Sequence, residues 1–308
     1  LDTTGNIFFV FCHSVFIKFL IFVLKNTEMH PLFYEIKKAL AGHYPETETS
    51  ALAKMLLVEK FGFTTLELFG GKDKEVFKKD LDVLNEMLGR LQNNEPIQYI
   101  IGHETFCGLT FDVNHHVLIP RPETQELVDW IVNDVKDSAA CRILDVGTGS
   151  GCIAVSLAKR IPCAEVEAWD ISDGALEIAR RNAGLNHVTI NFQLQNALDA
   201  EISFPSYEII VSNPPYITEK EKKDMEPNVL EWEPHTALFV PDTDPLLFYK
   251  KIAQMGVNAL VKGGALYFEI NRAYGEETMK MLDVLGYQQI ELKKDMFGND
   301  RMIKAIKP

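Results

Sequence analysis

Clustered cysteine, an excess of positive charge and internal repeats are all missing from this sequence of 308 residues. Its five cysteines are scattered and form no Cys-x-x-Cys pair, so neither a zinc site nor a disulfide framework is indicated. The net charge of −13 argues against a protein that grips nucleic acid through its phosphates, because such binding needs clustered Lys and Arg. With 46% hydrophobic and 24% charged residues, the composition is that of a soluble globular protein, which we expect in the reducing cytoplasm.

A long uninterrupted apolar run is also missing, although the first residues come close to one. Residues 7–24 are mostly apolar, but His13 and Lys18 interrupt them, and the length is borderline for a membrane span. A basic start segment and a small-residue cleavage site, which mark a signal peptide, are absent. We expect residues 1–28 to be a non-native or disordered apolar extension ahead of Met29; a membrane anchor is the alternative.

The remaining chain divides into three parts by its patterns. Residues 29–98 show apolar positions at helical spacing and no catalytic constellation, which predicts a small helical bundle for substrate recognition. Residues 99–120 alternate around Cys107 and Gly108, which indicates a linking β-hairpin. Residues 121–308 alternate strands with helices, which predicts an α/β domain with a mostly parallel sheet and two antiparallel strands at one edge. The predicted strands are 143–146, 165–169, 188–194, 207–211, 265–270, 287–292 and 302–306.

A glycine-rich turn follows the first strand of that domain. Gly147-Thr148-Gly149-Ser150-Gly151 separates the strand from a helix, so its backbone can approach a ligand closely. Asp170 ends the next strand, 19 residues after Gly151, where an acidic side chain can bind ribose hydroxyls. A dinucleotide would require Gly-x-Gly-x-x-Gly, whereas Gly-x-Gly-x-Gly preceded by Asp145 is typical of an S-adenosylmethionine (SAM) site.

Two asparagines follow later strands of the sheet. Asn196, with Ala197, ends the third strand and is either an adenine contact or an ordinary turn residue. Asn213-Pro214-Pro215-Tyr216 ends the fourth, where the prolines forbid further ladder pairing and stiffen the backbone. The Asn213 amide offers one acceptor and two donors in a plane, which suits a planar amide or amine; a proline-stiffened turn is the alternative.

Five blocks of sequence together resemble a known family. From about His30 to Lys307 the chain is similar to class I SAM-dependent methyltransferases, and within them to the HemK/PrmC family of protein-(glutamine-N5) methyltransferases. The blocks are Glu95-Pro96-Ile97, Leu118-Ile119-Pro120-Arg121-Pro122-Glu123-Thr124, Asp145 to Gly151, Ser212 to Ile217 and Glu231-x-Glu233-Pro234.

The resemblance implies a Rossmann-like sheet, SAM as cofactor and no metal. It implies methylation of the glutamine in the Gly-Gly-Gln motif of peptide chain release factors, with the helical domain helping to hold this protein partner. We expect a monomer. Cofactor binding is implied for Gly147, Thr148, Gly149, Ser150, Gly151, Asp170, Asn196, Ala197 and Asn213, and glutamine binding for Asn213, Pro214, Pro215 and Tyr216.

The chain departs from the family at three positions. Asn196 stands where Asp is common, Ala197 where an aromatic residue is frequent, and Asn271 where Gly is usual. Two other functions are compatible with parts of the pattern: an N6-adenine methyltransferase of DNA or RNA, which shares Asn-Pro-Pro-Tyr, and a non-catalytic SAM-binding scaffold. The net negative charge argues against a nucleic-acid methyltransferase. The presence of both Asn213 and Asp170 argues against a non-catalytic scaffold.

Catalysis is expected from Asn213, Pro214 and Tyr216. The Asn213 side-chain oxygen and the Pro214 carbonyl would accept the two N–H bonds of the substrate amide, and Tyr216 would pack on the amide plane. The sulfonium of SAM is already an excellent leaving group, so the protein needs to supply position and electrostatics rather than a nucleophile.

Overall fold

The computed structural model describes residues 29–70, 76–135, 141–202, 204 and 206–308. Its contacts divide the chain into two units that meet between Ile101 and Gly102. The extension expected at residues 1–28 lies outside the described residues, and the domain limits at 98/99 and 120/121 stay predictions. In the part of the chain that the structure describes, no helix combines the length and apolarity needed to cross a membrane.

The first unit is helical, as predicted. Pro31 occupies the first turn of the first helix that the structure describes, where the missing N–H costs nothing, and the His30 ring accepts the Leu32 N–H. The buried positions of the helices form one apolar core. The helices are α1 (Pro31–Leu40), α2 (Glu46–Met55, continued by a π-helical turn at Leu56–Lys60), α3 (Thr65–Gly70), α4 (Lys78–Gln92) and α5 (Ile97–Ile101).

The second unit begins with the predicted β-hairpin. β1 (His103–Phe106) and β2 (Leu109–Asp112) pair antiparallel, with Phe106 opposite Leu109. The two-residue loop between them has positive φ at both Cys107 (52°) and Gly108 (72°). Those are the backbone angles of the tight hairpin turn that matches the twist of the flanking strands.

A seven-stranded mixed sheet forms the centre of the second unit. Its strands lie in the order β10 (Gln288–Lys294), β11 (Asp300–Ile306), β9 (Leu260–Glu269), β6 (Tyr207–Ser212), β3 (Arg142–Val146), β4 (Glu165–Asp170) and β5 (Asn191–Leu194). The five strands from β9 to β5 run parallel, and β11 and β10 add antiparallel at one edge, as predicted.

Helices cover both faces of this sheet and bury an apolar core on each. One face carries α6 (Pro122–Asp134), α7 (Cys152–Arg160) and α8 (Asp173–Leu185); the other carries α11 (Leu247–Ala259) and α12 (Gly275–Val284). The segment after β6 holds only short elements. They are β7 (Ile217–Thr218), a 3₁₀ turn (Glu219–Asp224), α9 (Pro227–Trp232), α10 (His235–Leu238) and β8 (Phe239–Val240), and β7 pairs with β8.

Two predicted strand starts are wrong by three residues or more. β5 begins at Asn191 rather than Val188, because the Val188 N–H donates to the Ala183 carbonyl and closes the end of α8. β9 begins at Leu260 rather than Ala265. A β-bulge at Gly263, with φ of 78°, lets this strand continue through a glycine pair that the sequence pattern presents as a turn.

The sheet order positions the site. The chain passes from β3 outward to β4 and β5, then returns to β6 on the other side of β3. In open parallel sheets, ligands bind at such a reversal, beyond the carboxyl ends of the strands. The glycine turn after β3 and Asn213 after β6 both lie at this edge.

Candidate active site

One cavity of about 340 Å³ opens at the carboxyl edge of the sheet. The segments that follow β3, β4, β5 and β6 all contribute to its lining. Among the residues predicted from the sequence, the cavity is lined by Gly147, Thr148, Gly149, Ser150, Asp170, Asn196, Ala197, Asn213, Pro214 and Pro215. Gly151 and Tyr216 are not lining residues.

The glycine turn is shaped by backbone constraints. Gly147 and Gly149 have positive φ, and a Cβ on either would meet nothing within 4 Å, so their backbones face open space. Gly151 serves packing: a Cβ there would lie 3.1 Å from the Cβ of Ala179 in α8. The Gly147 and Thr148 N–H groups donate to the Trp169 carbonyl at 2.8 and 2.9 Å, which fixes the turn against β4.

Asp145 lies beneath this turn and is fully buried. Its Oδ2 accepts the Thr148 hydroxyl at 2.7 Å and the Ala154 N–H at 3.2 Å. Its Oδ1 has no hydrogen-bond partner among the described residues. Burial raises the pKa of the Asp145 carboxyl to about 7, because the low-dielectric interior disfavours its charged form. Asp145 is not a lining residue of the cavity, so its contacts with Thr148 and Ala154 support the glycine turn from beneath.

Asp170 connects the end of β4 to the glycine turn. Its two carboxylate oxygens accept the Gly149 N–H at 2.8 Å and the Ser172 N–H at 2.9 Å. Burial raises the pKa of the Asp170 carboxyl, and the two N–H groups partly offset that effect. Each oxygen retains lone-pair capacity for a further donor, such as a ribose hydroxyl.

Asn196 has the turn geometry that the sequence left open. Its Oδ1 accepts the Leu198 N–H at 3.0 Å, and its Nδ2 donates to Asp199 at 2.6 Å. Such side-chain bonds to the following backbone are the usual reason for Asn in turns. Asn196 and Ala197 nevertheless line the cavity, so an adenine contact by this segment stays a prediction.

Asn213 is held by residues from two distant segments. The preceding Ser212 donates its hydroxyl to the Val146 carbonyl at 2.6 Å, which ties the ends of β6 and β3 together. The Asn213 Nδ2 donates to the Thr124 hydroxyl oxygen at 3.3 Å. Thr124, in the first turn of α6, also lines the cavity. The Asn213 side chain is therefore anchored on one side beside the cavity.

Tyr216 is fixed by contacts behind the site. Its hydroxyl donates to Glu269 Oε1 at 3.2 Å, and burial raises the pKa of the phenol. The Tyr216 carbonyl accepts Asn271 Nδ2 at 3.0 Å. Packing of the Tyr216 ring on a substrate amide, expected from the sequence, stays a prediction.

A partly buried ion pair secures the segment that follows α9. Glu233 accepts the Arg121 guanidinium and, at 3.2 Å, the Ile119 N–H. Burial raises the pKa of the Glu233 carboxyl, which Arg121 counteracts. The segments that contain Arg121 and Glu233 both belong to the blocks that carry the family resemblance, but their contact was not predicted from the sequence. The cavity-lining residues not assigned from the sequence include His116, Arg121, Thr124, Pro234, Thr236 and Phe239.

Comparison with known proteins agrees with this arrangement. Residues 32–102 match the family model described as the PrmC N-terminal domain, and residues 124–231 match the methyltransferase small domain. The crystal structure of the hMettl16 catalytic domain in complex with a MAT2A 3'UTR hairpin is similar in fold, with a TM-score of 0.51 at 17% identity over 65% of this chain and 75% of that one.

Two curated relatives extend the similarity over nearly the whole chain. The release factor glutamine methyltransferase of Bacteroides thetaiotaomicron is 49% identical over 271 residues, which cover 88% of this chain and 97% of that protein. The protein of the same name from Flavobacterium psychrophilum is 46% identical over 271 residues, covering 87% and 95%. By this similarity in both units, the chain belongs to the release factor glutamine methyltransferase family.

Proposed function

We propose that this protein transfers one methyl group from SAM to the side-chain amide nitrogen of the glutamine in the Gly-Gly-Gln motif of peptide chain release factors. The product is N5-methylglutamine. The observation that carries this proposal is the similarity over 271 residues to curated release factor glutamine methyltransferases, which spans both units. The placement of Asn213 and the glycine turn in one cavity supports the same chemistry.

The residues around the glycine turn fit SAM. Gly147 and Gly149 leave open space that a ligand can approach, and Asp170 lines the same cavity with carboxylate oxygens that can accept further donors. The turn from Gly147 to Gly151 and Asp170 would hold the cofactor, with the segment at Asn196 near its adenine. Bound there, SAM supplies a methyl group on a positively charged sulfur that leaves as a neutral thioether.

The protein's own contribution is to position and polarise the substrate amide. A carboxamide nitrogen is a poor nucleophile because its lone pair is delocalised into the carbonyl group. Asn213 Oδ1 and the Pro214 carbonyl accept its two N–H bonds, which shifts electron density onto nitrogen and fixes its orientation. The nitrogen gains the methyl group and loses one proton. We assign no general base, since the proton becomes acidic once the nitrogen carries the methyl group.

The remaining roles follow from the same proposal. The helical unit at residues 29–101 contributes to holding the release factor, and the protein acts as a monomer in the cytoplasm. Absence of paired cysteine motifs is compatible with that reducing compartment.

A direct assay tests the proposed function. The full chain is incubated with isotopically labelled SAM and a bacterial release factor, and the Gly-Gly-Gln peptide is examined by mass spectrometry. We expect one labelled methyl group on the glutamine, and none when that glutamine is replaced by asparagine. Duplex DNA and RNA serve as competing substrates in parallel reactions. Label in adenine with an unmodified release factor would overturn the proposal in favour of a nucleic-acid methyltransferase.

A further inference from the structure

Glu269 is a buried carboxylate behind the candidate site. It ends β9, and only 2% of its surface is exposed. Its Oε2 accepts the Thr124 hydroxyl at 2.6 Å, and its Oε1 accepts the Tyr216 hydroxyl at 3.2 Å. Both oxygens are therefore used as acceptors. Burial raises the pKa of the Glu269 carboxyl, and the two hydroxyl donors together with the positive charge of Arg301 counteract that effect.

Because both Glu269 oxygens accept hydroxyl hydrogens, this side chain fixes the direction of the next hydrogen bond. A threonine hydroxyl has one hydrogen, and Thr124 donates it to Glu269. Toward Asn213, the Thr124 oxygen can therefore only accept a hydrogen bond. An amide oxygen turned toward it would bring two acceptors together, so the Asn213 NH₂ group must point at Thr124, as the 3.3 Å contact shows.

With its NH₂ group directed at Thr124, the planar Asn213 amide has its oxygen at the opposite end, away from Thr124. Asn213 lines the cavity, and none of the described residues donates a hydrogen bond to its Oδ1. The oxygen can therefore accept a hydrogen bond from a ligand N–H. Had the amide the opposite orientation, it would present NH₂ to the cavity and would repel the N–H groups of a primary amide.

We propose that Glu269 and Thr124 are positioning residues that set the orientation of the Asn213 amide, so that its oxygen faces an N–H donor of the substrate. The inference rests on the proposed function and deepens it, because it states which kind of group the site selects. A substrate nitrogen that carries hydrogens satisfies the oriented oxygen, and one without them leaves it unpaired. The Glu269–Thr124 pair acts on the substrate only through Asn213.

A purely structural role for the pair is the competing explanation. Glu269 could serve only to satisfy two buried hydroxyls, and its loss would then lower stability without a specific effect on turnover. Thr278 provides a matched control. Its buried hydroxyl, in α12, donates to the Tyr274 carbonyl at 2.7 Å, and Thr278 is not a residue of the cavity lining.

Single variants separate the two explanations. Thr124→Val removes the hydroxyl with little change of shape, so we expect kcat for amide methylation to fall about tenfold while the SAM dissociation constant changes less than twofold. Thr124→Ser restores a hydroxyl and is expected to recover kcat to within about threefold of wild type. Thr278→Val should lower the melting temperature alone. Wild-type kcat in a folded Thr124→Val protein would overturn the inference.

A double variant gives a sharper test. In Glu269→Met, the Thr124 hydroxyl loses its acceptor and is free to donate to the Asn213 oxygen. The Asn213 amide then turns over, so that its NH₂ group faces the cavity. Adding Thr124→Val removes that reversing bond, so the double variant should be no less active than Glu269→Met. Losses that multiply would instead show independent structural roles and contradict the inference.

A spectroscopic readout keeps the test independent of turnover. The side-chain amide signal of Asn213 in heteronuclear NMR, assigned by its loss in Asn213→Ala, is expected to shift in Thr124→Val and to stay in place in Thr278→Val. An unshifted signal in Thr124→Val would overturn the inference even if the release factor were not a substrate. A wild-type protein that fails to methylate the release factor contradicts the proposed function instead, so the two failures are distinguishable.

Discussion

Asn271 Nδ2 lies 3.0 Å from the Tyr216 carbonyl oxygen, and this bond joins the residue beyond β9 to the segment that carries Asn213. The same Nδ2 lies 3.1 Å from both carboxylate oxygens of Glu221. Glu221 in turn accepts the Thr218 N–H and hydroxyl, which caps the 3₁₀ turn. Asn271 therefore holds both Tyr216 and Glu221 in the segment that follows Asn213.

Replacement of Asn271 by alanine should weaken this loop. Asn271 is 4% exposed, so the variant leaves the Glu221 carboxylate and the Tyr216 carbonyl without their buried donor. We expect a loss of about 1–3 kcal/mol in the free energy of unfolding, measured by urea denaturation. We also expect kcat to fall several-fold, because Tyr216 and Asn213 belong to one short segment.

Asn186→Ala is the matched control for that variant. Asn186 is also buried, and its Nδ2 donates to the Thr110 and Asn182 carbonyls away from the cavity. It should lose comparable stability and retain wild-type kcat. Equal effects of both variants on kcat would mean that Asn271 acts through global stability alone.

Asn213→Ala should abolish amide methylation and spare cofactor binding. The variant removes the oriented acceptor that we assign to the substrate N–H, and loss of one such group typically costs about 10²–10³ in kcat. SAM affinity, measured by calorimetry, should change far less than kcat, because the glycine turn and Asp170 that we assign to the cofactor are unaltered. Turnover at the wild-type rate would disprove the assigned role of Asn213.

Local patterns predicted much of the fold and part of the site. The five parallel strands, the antiparallel edge and the glycine turn follow from apolar runs and turn residues, each confined to a short stretch of sequence. Asp170 and Asn213 could be placed at one edge because parallel strands share the direction of their carboxyl ends. Predicted limits were wrong where a backbone detail intervened, as at the helix cap before β5 and the bulge of β9.

The contacts that orient the site could not be read from the sequence. Glu269 is separated by 145 positions from Thr124, and Arg121 by 112 positions from Glu233. Such pairs are decided by the packing of the sheet and its helices. The same holds for Asn196. Its hydrogen bonds to Leu198 and Asp199 are made within a turn, and the sequence alone cannot distinguish a turn asparagine from one that contacts a ligand.

Asp170→Ala should weaken SAM binding. The change removes the acceptor of the Gly149 N–H, which loosens the glycine turn, and also the acceptor that we assign to the ribose. We expect the dissociation constant to rise about tenfold or more by calorimetry, as for the loss of a charge-assisted hydrogen bond. The control variant Asp129→Ala, which breaks a surface ion pair with Arg160, should leave the SAM dissociation constant unchanged. Unaltered affinity in Asp170→Ala would exclude Asp170 from the cofactor site.

Asp145 should make the stability of the free enzyme depend on pH. Its folded-state pKa, about 7, lies above its ordinary value of 3.8, so the folded chain keeps a proton that the unfolded chain releases. The stabilisation is fully present below about pH 4 and is lost as the pH rises toward 7. Asp145→Asn retains an acceptor for Thr148 and Ala154 but cannot ionise, so the difference isolates this group. From pH 4 to 7 the free energy of unfolding of the wild type should fall relative to Asp145→Asn by a few kcal/mol, measured by urea denaturation at each pH. A constant difference over that range would mean that Asp145 is ionised throughout, and that its unpaired oxygen is compensated within the apo protein.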